Sequence, residues 1–114
     1  MTDKYFIKGG TPLRGEVTIG GAKNSVLKLM AAALLAKGET KIYNVPDLTD
    51  VEIMLNVIAQ LGAKTSYDKS EKSLTIDASS ITSITAKYEL VSKMRASFIV
   101  LGALVSRCKE AIVA

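Results

Sequence analysis

The chain has 114 residues, 48% of them apolar and 23% charged, and its net charge is +4. This size suits one small domain with a real core, and the composition is far from that of a disordered chain. No apolar run reaches the roughly 20 residues of a membrane-spanning helix, and the start lacks a signal-peptide pattern. The net charge fits a site for a small anion as well as it fits a nucleic-acid surface, and because acids and bases are dispersed, we expect no nucleic-acid partner.

The chain contains no histidine and one cysteine, Cys108. A histidine-based metal site or a Ser-His-Asp triad is therefore impossible within this chain, and so is an internal disulfide. We expect no metal, and the lone thiol fits a reducing cytoplasm.

The first predicted elements are short strands over 2–7 and 16–19, separated by the turn cluster GGTPLRG. Residues 23–37 follow as a helix that is apolar nearly all round, which predicts burial on almost every side. Lys37 in its last turn and Gly38 just beyond it are typical of a helix C-terminus.

The later elements alternate between strands and helices. Thr49 and Glu52 have the spacing of a capping box, and Val51, Met54 and Ile58 follow helical spacing. The predicted elements are a strand over 41–45, a helix over 50–61, a hairpin of strands over 63–67 and 73–77, a helix over 88–107 and a final strand over 109–114. The apolar face predicted for the third helix consists of Val91, Met94, Phe98, Leu101 and Val105. Because the last strand has no turn after it, we expect an N-terminal piece of a larger protein.

Two stretches, 32–45 and 102–114, superpose at an offset of 70 residues, with Leu34 on Leu104 and Ile42 on Ile112. This predicts one βαβαββ unit and the start of a second, unless two ordinary helix-to-strand corners coincide. Cys108 falls on Gly38, which favours a structural thiol over a nucleophile.

Lys23 opens the first helix directly after Gly20 and Gly21, and Asn24 follows it. A cation at this positive end costs about 0.3–1 kcal/mol unless an anion joins it. The glycines allow close approach of the backbone, so the pattern indicates a phosphate or carboxylate site at a helix N-terminus. Alternatively, Lys23 points into water and the glycines merely turn the chain.

Arg95 lies near the start of the third predicted helix, beside Lys93 and Ser97. A guanidinium can hold a phosphate or carboxylate with two hydrogen bonds. The alternative is a solvated arginine on the exposed face of the helix.

Three stretches, GEVTIGGAKNSVLKLMAAALLAKGE, YNVPDLTDVEIMLNVIAQLGAK and YELVSKMRASFIVLGALVSR, resemble the UDP-N-acetylglucosamine 1-carboxyvinyltransferases, the enolpyruvyl transferases that begin peptidoglycan synthesis. The sister family, the 5-enolpyruvylshikimate-3-phosphate synthases, typically carries Ser-Lys-Ser where this chain has Ala22, Lys23 and Asn24. We therefore rank it second. A small basic module that binds polyanions is the third reading.

The resemblance implies that the enolpyruvyl group of phosphoenolpyruvate moves to the 3′-hydroxyl of UDP-N-acetylglucosamine, without a cofactor. By motif match, Lys23 and Asn24 would contact phosphoenolpyruvate and Arg95 would bind the UDP-sugar. The family's acid/base residue, usually a cysteine, would lie beyond Ala114 and is not Cys108. The piece alone is expected to be inactive.

The resemblance also implies a fold, an inside-out α/β barrel with two lobes of βαβαββ units. Residues 1–21 would belong to the second lobe, and 22–114 to an incomplete first lobe. The partners implied are the two substrates and the remainder of the same enzyme chain.

Overall fold

Helices pack against a three-stranded antiparallel sheet in the computed structural model, which describes residues 2–113 and every side chain among them except that of Ala96. The helices are α1 (Lys23–Ala32), α2 (Thr49–Gln60), α3 (Tyr88–Val91) and α4 (Val100–Cys108), with 3-10 segments at Ala33–Leu35 and Arg95–Ile99. The strands are β1 (Glu39–Ile42), β2 (Lys64–Asp68), β3 (Ser73–Asp77), β4 (Thr85–Ala86) and β5 (Ile112–Val113). The mixture of helices and strands confirms the predicted α/β class.

The sheet has the order β1-β3-β2, so β3 is its central strand. Leu74 and Ile76 alternate along β3 and are fully buried against the helices. The predicted β2–β3 hairpin is confirmed. Its turn is stabilised by Asp68, whose carboxylate accepts hydrogen bonds from the backbone N–H groups of Ser70 and Glu71 at 3.0 and 3.1 Å.

The helix predicted over 50–61 is confirmed as α2, and Gly62 closes it with a φ of +105°. The predicted capping box is wrong. Leu48 occupies the N-cap position, and no side chain caps the helix by a hydrogen bond. Because Thr49 lies inside the first turn, Asp50 and Glu52 are free to form ion pairs with lysines outside the helix.

The helix predicted over 23–37 is found, but it becomes a 3-10 turn after Ala32 and ends at Leu35. Ala36 takes an extended conformation there, so Gly38 is not a left-handed C-terminal residue and Lys37 lies beyond the helix. Burial on almost every side is also wrong, because one face of the run, with Lys28, Leu29, Ala32 and Leu35, is exposed. Leu29 and Leu35 on that face are 50% and 51% exposed.

The helix predicted over 88–107 is broken into three pieces. Met94 adopts an extended conformation (φ −153°, ψ 112°), and Ser97 Oγ donates a hydrogen bond of 2.7 Å to its carbonyl. The break rotates the following turns, so the predicted apolar face is wrong in part. Phe98 and Val105 are 51% and 46% exposed, whereas Val100, Ala103 and Leu104 are buried.

Residues 2–22 contain no strand, so the predictions for 2–7 and 16–19 are wrong for this structure. Their apolar side chains lie in solvent, with Phe6 93% and Ile19 85% exposed. Extended backbone becomes a strand only where a neighbour pairs with it, and this segment has no strand partner within residues 2–113.

A second, two-stranded sheet pairs β4 with β5 in parallel, with Thr85 opposite Ile112. Its crossover contains α3 and α4, as in a βαβ unit. β1 follows α1 as β5 follows α4, in agreement with the offset of 70 residues. The predicted first unit lacks its opening strand, since residues 16–19 do not pair.

Candidate functional site

Two helical runs, α1 with its 3-10 turn and Arg95–Ile99 with α4, lie side by side and point in the same direction. The 3-10 segment Arg95–Ile99 packs against α1, and α4 packs against the 3-10 turn that ends α1. At the C-terminal ends, Arg107 Nη1 donates hydrogen bonds to the carbonyls of Leu34 and Ala36 at 2.9 and 3.2 Å. Because Arg95–Ile99 lies along α1 while α4 lies along the turn that ends it, the N-terminal ends of both runs point toward the opposite end of the pair.

Lys23 opens the first of these runs and Arg95 opens the second. The two cations predicted from the sequence therefore lie at the same end of two parallel helices. Both are exposed on the surface, as is Asn24. The N–H groups of a first helical turn lack intrahelical partners, so this end of the molecule offers donors and cations together.

The ammonium group of Lys23 is paired with Asp50, with 3.3 Å between Nζ and Oδ2. Asp50 lies in the first turn of α2, so the N-terminal ends of α1 and α2 meet at this contact. The Lys23 side chain is 52% exposed and that of Asp50 is 32% exposed. An ion pair this accessible contributes about 1 kcal/mol or less, which is comparable to the cost of a cation at a helix N-terminus.

This contact bears on both interpretations of Lys23, and its role in binding an anion stays a prediction. The lysine does not simply point into water, since it pairs with a carboxylate. The anion beside it in this structure is a side chain of the same chain, so the sequence pattern alone does not require a bound phosphate. Half of the ammonium-bearing side chain remains accessible, and a ligand can reach it.

Gly21 has a structural role that the sequence did not reveal. A Cβ at this position would collide with the backbone carbonyl oxygen of Asn44, so only glycine lets the chain enter α1 over the loop after β1. Asn44 Nδ2 also donates a long hydrogen bond of 3.5 Å to the carbonyl of Ile19. A Cβ at Gly20 would meet no atom within 4 Å, so packing requires a glycine only at position 21.

A second group of charges surrounds Lys69 in the β2–β3 turn. Its ammonium donates a hydrogen bond of 2.7 Å to Glu52 and lies 3.4 Å from Asp47. The hydrogen bond to Glu52 has the largest effect on the pKa of Lys69, which it raises, and the hydrogen bond to Asp47 raises it further. Nearby, burial and the charge of Asp47 raise the pKa of Tyr67. Both acidic partners are thus engaged with Lys69 and not with Lys23.

Cys108 lies at the C-terminus of α4, beside Arg107 and at the end opposite Lys23. That Cys108 is not the acid/base residue stays a prediction. Across residues 2–113, no three carboxylate or thiol groups come close enough to hold a metal ion together. In the same stretch, no helix is long and apolar enough to cross a membrane.

Sequence reasoning missed the roles of two residues: Asp50 at the N-terminal ends of the helices, and Arg107 at their C-terminal ends. Asp50 lies between the two residues of the predicted capping box, which gives an acidic residue there a local explanation, and its pairing with Lys23 joins positions that no local motif connects. Arg107 is the last residue of the helix predicted over 88–107. Its basic character in the last turn of a predicted helix was the available signal, since such residues commonly bind nearby carbonyls.

A comparison with protein families matches residues 7–114 to EPSP synthase (3-phosphoshikimate 1-carboxyvinyltransferase). The chain belongs to the EPSP synthase family. Among solved structures, the enolpyruvyl transferase NikO from Streptomyces tendae superposes with a TM-score of 0.73 and 33% identity, over 87% of this chain and 23% of NikO.

Curated relatives place the chain more narrowly within the EPSP synthase family. It is 49% identical over 113 residues to UDP-N-acetylglucosamine 1-carboxyvinyltransferase 1 of Staphylococcus epidermidis, and equally so to that of Staphylococcus aureus. It is 51% identical to UDP-N-acetylglucosamine 1-carboxyvinyltransferase 2 of Staphylococcus saprophyticus. The match covers 98% of this chain and 27% of each relative. The chain thus spans about a quarter of their length, and the resemblance drawn from the sequence is confirmed.

Proposed function

We propose that this chain is the N-terminal part of an enzyme that transfers the enolpyruvyl group of phosphoenolpyruvate to the 3′-hydroxyl of UDP-N-acetylglucosamine. The observation that carries the proposal is the placement of Lys23 and Arg95 at one end of two parallel helices. The names of relatives that are 49–51% identical support the choice of acceptor. The reaction is the first committed step of peptidoglycan synthesis, so the enzyme would serve cell-wall growth, cell shape and division in the cytoplasm.

The proposed reaction brings two anionic substrates together and requires cations where they meet. The 3′-hydroxyl loses its proton to a base as its oxygen forms a bond to C2 of phosphoenolpyruvate, and a proton adds to C3, which gives a tetrahedral intermediate. Loss of a proton from C3 then restores the double bond as the bond from C2 to the phosphate oxygen breaks and phosphate leaves. Cations held in place before the reaction stabilise the phosphate charge throughout these steps.

Within that scheme, Lys23 and Asn24 bind phosphoenolpyruvate, and Arg95 binds the UDP-sugar. Three features support these roles: exposure of all three side chains, the shared N-terminal end of the helices, and the unpartnered N–H groups of that end. We place the acid/base group outside residues 1–114, since Cys108 lies at the far end of α4. We also place residues 1–21 in a second lobe, because residues 2–20 are exposed throughout.

A complete enzyme provides the test. Residues 1–113 replace the corresponding segment of the Staphylococcus aureus relative, and phosphate release is measured with each acceptor. We expect turnover with UDP-N-acetylglucosamine, none with shikimate 3-phosphate, and loss of turnover in Lys23→Met. Turnover with shikimate 3-phosphate instead would favour the sister reaction. Full activity of Lys23→Met would overturn the assigned site.

The 114-residue chain should release no phosphate by itself, because the proposed acid/base group and the second lobe are missing from it. Binding of a polynucleotide with a steep decrease in affinity as salt rises would instead favour the polyanion-binding reading. The dispersed acids and bases weigh against that result.

A further inference from the structure

The contact between Lys23 and Asp50 has a consequence for the reaction. Lys23 has a long, flexible side chain that is 52% exposed, so on its own it would sample many rotamers. Asp50 is fixed on the first turn of α2, and its carboxylate lies 3.3 Å from the ammonium. We infer that Asp50 is a positioning residue, which orients the Lys23 ammonium toward the phosphate of the substrate. The inference rests on the proposed function of Lys23.

The position of Asp50 suits a role in orienting the Lys23 ammonium better than a role in neutralising its charge. An ammonium has three N–H donors, and a carboxylate on one side leaves the others for a ligand on the accessible side. Asp50 is also favoured where it lies, because a carboxylate in the first turn of α2 interacts well with the helix dipole. It therefore need not move away when an anionic substrate arrives, and it can hold the lysine throughout the reaction.

Removing the charge of Asp50 is expected to lower kcat, because the Lys23 ammonium loses its orientation, without weakening the affinity for phosphoenolpyruvate. The Asp50 carboxylate repels an incoming anion, so Asp50→Asn should leave KM for phosphoenolpyruvate unchanged or lower it. The same change releases the ammonium from its fixed position, which should lower kcat by about 10-fold to 100-fold. A merely structural defect would not produce this separation of kcat from KM.

Asp47 offers a matched control. It lies just before α2, and its carboxylate pairs with Lys69 at 3.4 Å rather than with Lys23. Asp47→Asn removes the same charge from the same region, while Lys69 keeps its hydrogen bond of 2.7 Å to Glu52. We expect kcat of the Asp47→Asn enzyme to stay close to that of the parent.

The activity experiment uses the complete enzyme described above and compares Asp50→Asn, Asp50→Glu and Asp47→Asn. Asp50→Glu should recover part of the lost kcat, because the carboxylate remains within reach of Lys23. Equal kcat in Asp50→Asn and Asp47→Asn would overturn the inference, provided that Lys23→Met is inactive. If Lys23→Met is active, the proposed function fails first, so the two failures are distinguishable.

A physical measurement on the 114-residue chain does not depend on turnover. The ¹⁵Nζ resonance of Lys23 should shift in Asp50→Asn and remain in place in Asp47→Asn, whereas the resonance of Lys69 should do the reverse. Addition of inorganic phosphate should perturb Lys23 in the parent and in Asp50→Asn. Identical Lys23 resonances in the parent and in Asp50→Asn would refute the pairing on which the inference rests.

Discussion

Replacing Arg107 by methionine removes the guanidinium that joins the ends of three elements while it keeps most of the apolar stem. Nη1 donates hydrogen bonds to the part-buried carbonyls of Leu34 and Ala78 at 2.9 and 2.5 Å. Two further bonds, to the exposed carbonyls of Ala36 and Ser79, measure 3.2 and 3.4 Å. Arg107 thus ties the end of α1 and the residues after β3 to α4.

The expected cost follows from which of these bonds water can replace. The two exposed carbonyls can bind water, so their loss should change stability little. A hydrogen bond to a charged group contributes about 1.5–3 kcal/mol, and partial exposure reduces that figure. Two part-buried bonds therefore predict a loss of about 2–4 kcal/mol from the free energy of unfolding, a large share of the usual 5–15 kcal/mol.

Urea denaturation followed by circular dichroism measures the difference between Arg107→Met and the parent. Arg107→Lys should lose about half as much, since one ammonium cannot reach carbonyls on three segments as the planar guanidinium does. Arg14→Met, in the exposed segment before α1, should stay within about 0.5 kcal/mol of the parent. A loss below about 1 kcal/mol in Arg107→Met would refute the stabilising role of Arg107, because the two part-buried hydrogen bonds would then contribute less than the expected value of about 2–4 kcal/mol.

Three other changes probe the remaining features. Gly21→Ala should destabilise the chain by about 1–3 kcal/mol, because its Cβ would collide with the loop after β1, whereas Gly20→Ala in open space should be tolerated; thermal unfolding of both measures this. Lys69 has a pKa raised above its ordinary 10.5 by its carboxylate partners, so its stabilising effect is complete below pH 10.5 and lost as pH rises through the raised value. Denaturation above and below pH 10.5 should show a steeper loss in the parent than in Lys69→Met, and parallel curves would contradict the pairing. Leu29 on α1 and Leu35 in the 3-10 turn after it are half exposed, so we expect the isolated chain to self-associate through them. Replacing both with glutamine should reduce that association in sedimentation velocity, and unchanged association would exclude these two side chains as its cause.

The sequence predicted best those elements whose signals are complete within a few residues. The helix α2 has apolar residues at helical spacing and ends at Gln60, two residues before Gly62, which adopts a positive φ. The β2–β3 hairpin has two alternating segments around a polar turn that Asp68 stabilises locally. In both cases the forces that determine the structure lie within the element, so pattern reasoning was sufficient.

The errors arose where the conformation depends on contacts that the local residue pattern does not specify. The segment 16–19 alternates like a strand, but a strand also needs a neighbour to pair with. Helical spacing continues through Met94, yet the chain is extended there and Ser97 bonds to its carbonyl. Nothing local in the sequence distinguishes such a break from an uninterrupted helix, since neither glycine nor proline occurs at it.

In the candidate site, the cations could be predicted from local sequence, whereas the carboxylate that pairs with Lys23 could not. Lys23 and Arg95 could be found because a cation at the start of an apolar helix is out of place without an anion. Asp50 could not, because a capping box already gave its carboxylate a local explanation, and that explanation failed when Leu48 took the N-cap position. The lysine therefore has one anion beside it when the site is empty, Asp50, and a second when the proposed phosphate fills the site. A cation held by a fixed carboxylate needs little rearrangement when the substrate binds, and electrostatic catalysis depends on that condition.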